Sequence, residues 1–260
     1  MFRIIRDITG VAPDIIFTVG GFKIANSTLF GVLIMLLFIL FYFVSVRKYS
    51  VKPGKMQTGV ELAFEGLVEL ISQITGDKSI SMKIIPLVGA LIVYIMVSNL
   101  LGLIPGLTSI TVSGAALFRA PTTDFNTTFG LALGSVVLLQ YVSIKDWGVL
   151  GHLGKFFKFK EVYVGFKKGL MDGFMAIIDF GIGLLDIVGE LAKVVSLSLR
   201  LFGNMYAGEV LAMLILGAFA YMIPLLWTTM SLLSGVIQAI VFGSLVTAYY
   251  MLSIKPKEEI

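Results

Sequence analysis

Three stretches of the chain run apolar without a single charge: Leu29 to Val46, Ile84 to Ile104, and about Phe125 to Ile144. Each is long enough as a helix to cross a hydrocarbon core of about 30 Å. Two longer apolar stretches follow, 172–216 and 223–252, with Pro224 marking the break between them. As one helix the first would measure roughly 68 Å, more than twice the core thickness, so it must tilt steeply, break or run partly along the surface. Segment 57–76 differs. Val60, Phe64, Leu67, Ile71 and Ile74 recur at spacings of three and four, beside an acidic stripe of Glu61, Glu65 and Glu69. That pattern predicts an amphipathic helix lying at the membrane interface, which either anchors the fold or meets a peripheral partner.

The pattern therefore predicts an all-α polytopic membrane protein. About five membrane-embedded helices form a single domain over 1–260, with the last two long and steeply tilted as a hairpin. Residues 1–28 form an outer N-terminal segment and 145–171 a basic loop. The composition agrees: 57% of the 260 residues are hydrophobic and 14% charged, with a mean hydropathy of +0.97. With no cysteine and one histidine, His152, disulfides and thiolate or multi-histidine metal sites are excluded. The net charge of +4 does not point to nucleic acid, because the basic residues cluster beside membrane segments. Arg3, Arg6 and Asp7 precede no small-residue cleavage site, so the N-terminus reads as mature chain.

Orientation follows from lysine and arginine. Arg47, Lys48, Lys52, Lys55, Lys78 and Lys83 flank one side. Lys145, Lys155, Lys158, Lys160, Lys167, Lys168, Lys255 and Lys257 fall on that same side. The alternate side has only Arg3, Arg6, Lys23 and Arg119. The N-terminus is expected outside, with both basic loops and the C-terminus cytoplasmic.

Charge inside the membrane changes the picture most. Arg200 sits in an apolar segment, where a guanidinium costs roughly 2.5–3.5 kcal/mol on insertion scales. It cannot escape by losing a proton. Its own helix offers Ser196, Leu197, Gly203 and Asn204 at i±3 and i±4, so the compensating anion is expected from another helix, another chain or a wet cavity. Asp179, Asp186, Lys193 and Arg200 recur every seven residues and share one stripe, extended by Ser196 and Asn204. Buried charges in spans mark ion pathways, which makes Asp186, Glu190 and Ser196 candidates, although Glu190 and Lys193 at i,i+3 can equally pair as helix glue. Glu209, nine residues past Arg200, falls on the opposite face. Ser231, Ser234 and Gln238 form a second polar stripe on the last helix. Asn99, Asp124 and Glu209 are expected in the outer half of the membrane, where they could line one aqueous inlet. Asp124 also suits a helix cap, as do Thr122 and Thr123.

These residues resemble the a subunit of the rotary F-type ATP synthase. The resemblance is carried by Ser198-Leu199-Arg200-Leu201-Phe202-Gly203-Asn204-Met205-Tyr206-Ala207-Gly208-Glu209. It is supported by Pro53-Gly54-Lys55-Met56-Gln57-Thr58-Gly59-Val60-Glu61, Asn99-Leu100-Leu101-Gly102-Leu103-Ile104-Pro105 and Gln238-Ala239. It implies a stator in the bacterial plasma membrane, cupping a ring of c subunits with buried carboxylates and bound to b-type peripheral stalk subunits and the rest of the synthase. It implies two offset half-channels, with Arg200 attracting passing ring carboxylates and blocking ion leak. Glu209, Gln238, Asn99 and Asn204 would serve the outer channel and Asp186 the inner. Ser231 and Gly102 stand where some members carry a histidine and an aspartate, which leaves the outer relay and the identity of the ion open. No cofactor is implied, and the chain lacks a phosphate-binding loop, so nucleotide chemistry falls to partner subunits. A self-contained secondary ion transporter and a structural membrane scaffold are the alternatives. The first would show paired halves, and nothing here repeats.

Overall fold

The computed structural model describes residues 12–46, 53–104, 107, 110–112, 115–156, 158, 164, 167, 169–218 and 223–254. Arg3, Arg6, Arg47, Lys48, Lys52, Pro105, Lys160, Lys168, Lys255 and Lys257 lie outside the described residues. A short antiparallel hairpin, β1 (Ile15–Val19) and β2 (Phe22–Ala25), leads into α1 (Asn26–Phe41), which closes in a wider π turn at Tyr42–Val46. The amphipathic helix α2 (Lys55–Thr75) follows, then α3 (Lys78–Gly102). A two-residue hairpin, β3 (Thr111–Val112) with β4 (Ala115–Ala116), and a 3-10 turn at Pro121–Thr123 precede α4 (Phe125–Phe156). The chain continues as α5 (Leu170–Ala218) and α6 (Ile223–Ser253). The hydrophobic pattern did not foresee the two small hairpins. It also ended the third span near 144, where α4 continues to Phe156 through a break at Gly148, whose φ of 73° favours glycine.

Among the described residues four helices are long and apolar enough to cross a membrane: Asn26–Val44, Lys78–Gly102, Phe125–Gly154 and Leu226–Ser253. The chain is an all-α polytopic membrane protein, and its surface is accordingly inverted. On α1, Asn26, Ser27, Phe30, Gly31 and Ile34 turn inward, while Val32, Met35, Leu36, Ile39 and Leu40 stand exposed, the arrangement a lipid solvent favours.

The chain divides into two compact units, Met1–Thr128 with Leu199–Thr247, and Phe129–Ser198 with Ala248–Ile260. In the first unit α2 and α3 form a helical hairpin. Gly76 closes α2 in the left-handed conformation at φ 67°, donating its N–H to Ser72 O. The Asp77 carboxylate then caps α3 by accepting from Ser79 N at 2.7 Å. Ile84, Val88, Ile92 and Ile95 of α3 are fully covered. Along α6 a small residue recurs at every fourth position, Gly235, Ala239 and Gly243, with Gly235 against Asn99 and Gly243 against Ile92 and Val88. The backbones come so close that a Cβ on Gly243 would stand 2.3 Å from Ile92 Cγ1. In the second unit Gln140 of α4 donates to Glu190 of α5 at 2.6 Å, and Trp147 donates to Ser253 O at 3.2 Å.

Candidate functional site

The first unit holds a cavity of about 510 Å³ between the C-terminal end of α3, the 3-10 turn, α5 and α6. Asn99, Thr123, Asn204, Glu209, Ser231 and Ser234 give it its polar lining. Among the described residues Glu209 is the one ionisable group in that lining. The site is built by a relay of small locks. Asn99, fully buried, donates Nδ2 to Gly235 O at 2.9 Å and accepts from Thr122 Oγ1 at 2.7 Å, tying α3 to both α6 and the 3-10 turn. Gly102 lets that turn approach: a Cβ there would meet Ala120 Cβ at 2.6 Å. On the far wall α5 and α6 run antiparallel. Asn204 Nδ2 donates to Ser234 Oγ at 2.9 Å and, more loosely, to Gln238 Oε1 at 3.4 Å, and Trp227 Nε1 donates to Gly208 O at 3.1 Å.

Glu209 meets Arg119, whose Nε lies 3.7 Å from Glu209 Oε2. Arg119 is 3% exposed, and its Nε donates to Thr123 Oγ1 and its Nη1 to Ala12 O, each at 3.2 Å. Its guanidinium carbon stands 5.9 Å from the centroid of the Tyr206 ring, which stacks in turn on Phe202. In the sequence Arg119 figured only as a loop charge that helped set orientation. A signal was present, since Arg119 is the sole charge between Lys83 and Asp124. Nothing local, however, ties it to a carboxylate ninety residues on.

Asn99, Asn204, Glu209 and Ser231 thus meet at one cavity, with Gln238 buried behind Asn204. Asp124 is not among the lining residues. Its carboxylate accepts from Asn126 N at 3.0 Å, capping α4, and from Ser27 Oγ at 2.6 Å. Thr122 and Thr123 therefore do not cap α4, because their hydroxyls go to Asn99 and Ala120 O. Arg200 lies on an exposed part of α5, nine residues and a half-turn from Glu209. In the second unit Asp186 and Ser196 are exposed. There Glu190 accepts from both Lys193 Nζ and Gln140 Nε2, and Lys193 also sits 5.0 Å from the Tyr249 ring centroid. Among the described residues no group of three or more metal-ligating side chains gathers.

A sequence model of the ATP synthase A chain family matches residues 28–251. A protein named ATP synthase subunit a, from Desulforamulus reducens, is 34% identical over 224 residues, covering 83% of this chain and 74% of the relative. Relatives of the same name from Protochlamydia amoebophila and Moorella thermoacetica are each 29% identical. They cover 90% and 93% of this chain, and 82% and 96% of their own lengths.

Proposed function

The chain belongs to the ATP synthase A chain family as the ion-translocating stator subunit of the membrane sector, and on that premise we propose that the cavity at Glu209 is its outer half-channel. Arg200 is the charge that meets the carboxylates of a turning ring of c subunits. The observation that carries this reading is the division of α5 over nine residues. Glu209 lines a cavity with a few polar groups in a mainly apolar wall, whereas a permanently charged guanidinium stands exposed on the opposite face of the helix. Ions enter from outside past Asn99, Thr123 and Ser231, reach Glu209 and Asn204, and pass to a ring carboxylate beside Arg200. After nearly a full rotation of the ring they leave on the cytoplasmic side near Asp186. The N-terminus is outside and the C-terminus cytoplasmic, in a bacterial plasma membrane, with b-type stalk subunits holding the chain against rotation. The driving force is the membrane potential, about 2.3 kcal/mol per charge per 100 mV. The guanidinium need only attract each carboxylate and release it, and a wet interface of moderate dielectric allows both.

The test uses the absence of native cysteine in this chain. Glu209→Cys and Asp186→Cys, each made singly in the assembled complex, are probed with membrane-impermeant thiol reagents. Position 209 is expected to react from outside. Position 186 lies 23 residues toward the N-terminal end of α5 and is expected to react from the cytoplasmic side. Labelling of both from one side would overturn the two half-channels and favour alternating access.

A further inference from the structure

Among the described residues Glu209 is the one ionisable side chain lining a mainly apolar cavity with a few neutral polar groups, and a buried arginine stands behind it as an ion-pair partner. We propose that Arg119 is the fixed counter-charge of this cavity. It stands against the Glu209 carboxylate in the wall and balances its negative charge, so that the cavity admits water and protons without concentrating other cations. The inference rests on the reading of the cavity as the outer half-channel and adds to it a positioning residue.

Four observations support this role. The first is placement: Arg119 is buried, while the Glu209 side chain is 20% exposed, so the pair has a dry end and a wet end. The second is rigidity. Arg119 is fixed by Thr123 Oγ1, by Ala12 O and over the Tyr206 ring, and its segment is pinned through Thr122 to Asn99. A guanidinium anchored at several of its donors holds one position as the carboxylate gains and loses a proton. The third is geometry: at 3.7 Å the contact is an ion pair and not a short hydrogen bond, so the carboxylate is steered without being locked. The fourth is the chemistry of the polar groups set into a wall that is otherwise mainly apolar. Asn99, Thr123, Asn204, Ser231 and Ser234 all carry oxygens, and with an uncompensated carboxylate they would form a surface attractive to hard cations. A permanent positive charge behind the carboxylate removes that attraction.

The test reads the cavity's charge directly. In the assembled complex, Ser231→Cys is labelled from outside by two membrane-impermeant methanethiosulfonates, one cationic and one anionic, and the ratio of their rates reports the local potential. Arg119→Gln is expected to raise the cationic-to-anionic ratio about tenfold, the lower end of the effect of an unbalanced charge in a cleft. Glu209→Gln is expected to lower it by a similar factor, and Arg119→Lys to leave it within about threefold of the parent. The same Arg119→Gln complex is expected to lose about tenfold or more in ATP-driven pumping, with Arg119→Lys recovering part of it. A ratio unmoved by Arg119→Gln, or by Glu209→Gln, overturns the counter-charge, because loosening of the fold without a change in charge would slow or speed both reagents together. If neither reagent reaches the thiol of the Ser231→Cys parent from outside, the half-channel reading itself fails. Since labelling requires no turnover, the result stands even where a variant does not pump.

Discussion

Arg200→Ala is expected to bring ATP-driven ion pumping to background, a loss on the order of a hundredfold or more, the scale for removing a preorganised charge. The subunit should remain inserted and assembled. Arg200 is exposed on α5, so shortening it opens no void in the packed interior and leaves α3 against α6 untouched. The loss should appear in vesicles carrying the complete synthase, by quenching of a pH-sensitive dye or by uptake of the transported ion, at unchanged subunit stoichiometry. Normal pumping at normal coupling would refute the role. Arg200→Lys should restore only part of the rate, because an ammonium is a more strongly hydrated point charge and lacks the planar fork that faces a carboxylate.

The second large effect concerns packing. Gly243→Leu should prevent the subunit from accumulating in the membrane and the complex from assembling. A Cβ at position 243 would stand 2.3 Å from Ile92 Cγ1, 2.5 Å from Ile92 Cδ1 and 3.2 Å from Val88 Cγ1. Both partners are buried in α3, so there is little space into which they can turn. Overpacking of this kind typically costs 1–3 kcal/mol and occasionally more. In a membrane, helix association depends on close packing and not on expelling water, so α6 has no hydrophobic effect to recover the loss. Gly243→Ala should reduce the subunit level measurably, and pairing it with Ile92→Ala should bring it back. Wild-type levels of the Leu variant, or no recovery in the Ala pair, would contradict a contact set by the missing side chain.

These two predictions differ in how much of them is legible in the chain. Arg200 stands out from sequence because a guanidinium in an apolar run is costly wherever the run folds, and its neighbours at i±3 and i±4 are fixed by helix geometry alone. The amphipathic α2 and the five other long helices are legible for the same local reason: hydrophobic period and length against the thickness of the bilayer. The placing of Glu209 half a turn from Arg200 needs only the angle per residue. Gly243 carries no such signal. Glycine is common in membrane helices, and only the approach of α3 makes this one indispensable.

Which polar residues share a site, and which are occupied elsewhere, emerged only on folding. Asp124 has the composition of an inlet residue, but its oxygens are taken by Ser27 Oγ and the N-terminus of α4. Glu190 lies on a helix that also carries Arg200, and its carboxylate binds Lys193 and Gln140. Arg119 and Glu209 are ninety residues apart in the chain and meet because Gly102, Thr122 and Asn99 bring the segment before α4 against α3. Periodicity dictates which face of a helix is polar. It carries no information about which of those faces meet, because that depends on packing distances set by small residues on neighbouring helices. Local pattern was therefore enough for the long helices and to single out the charge within them. The cavity, and the arginine behind its carboxylate, arise only from contacts between residues distant in the chain.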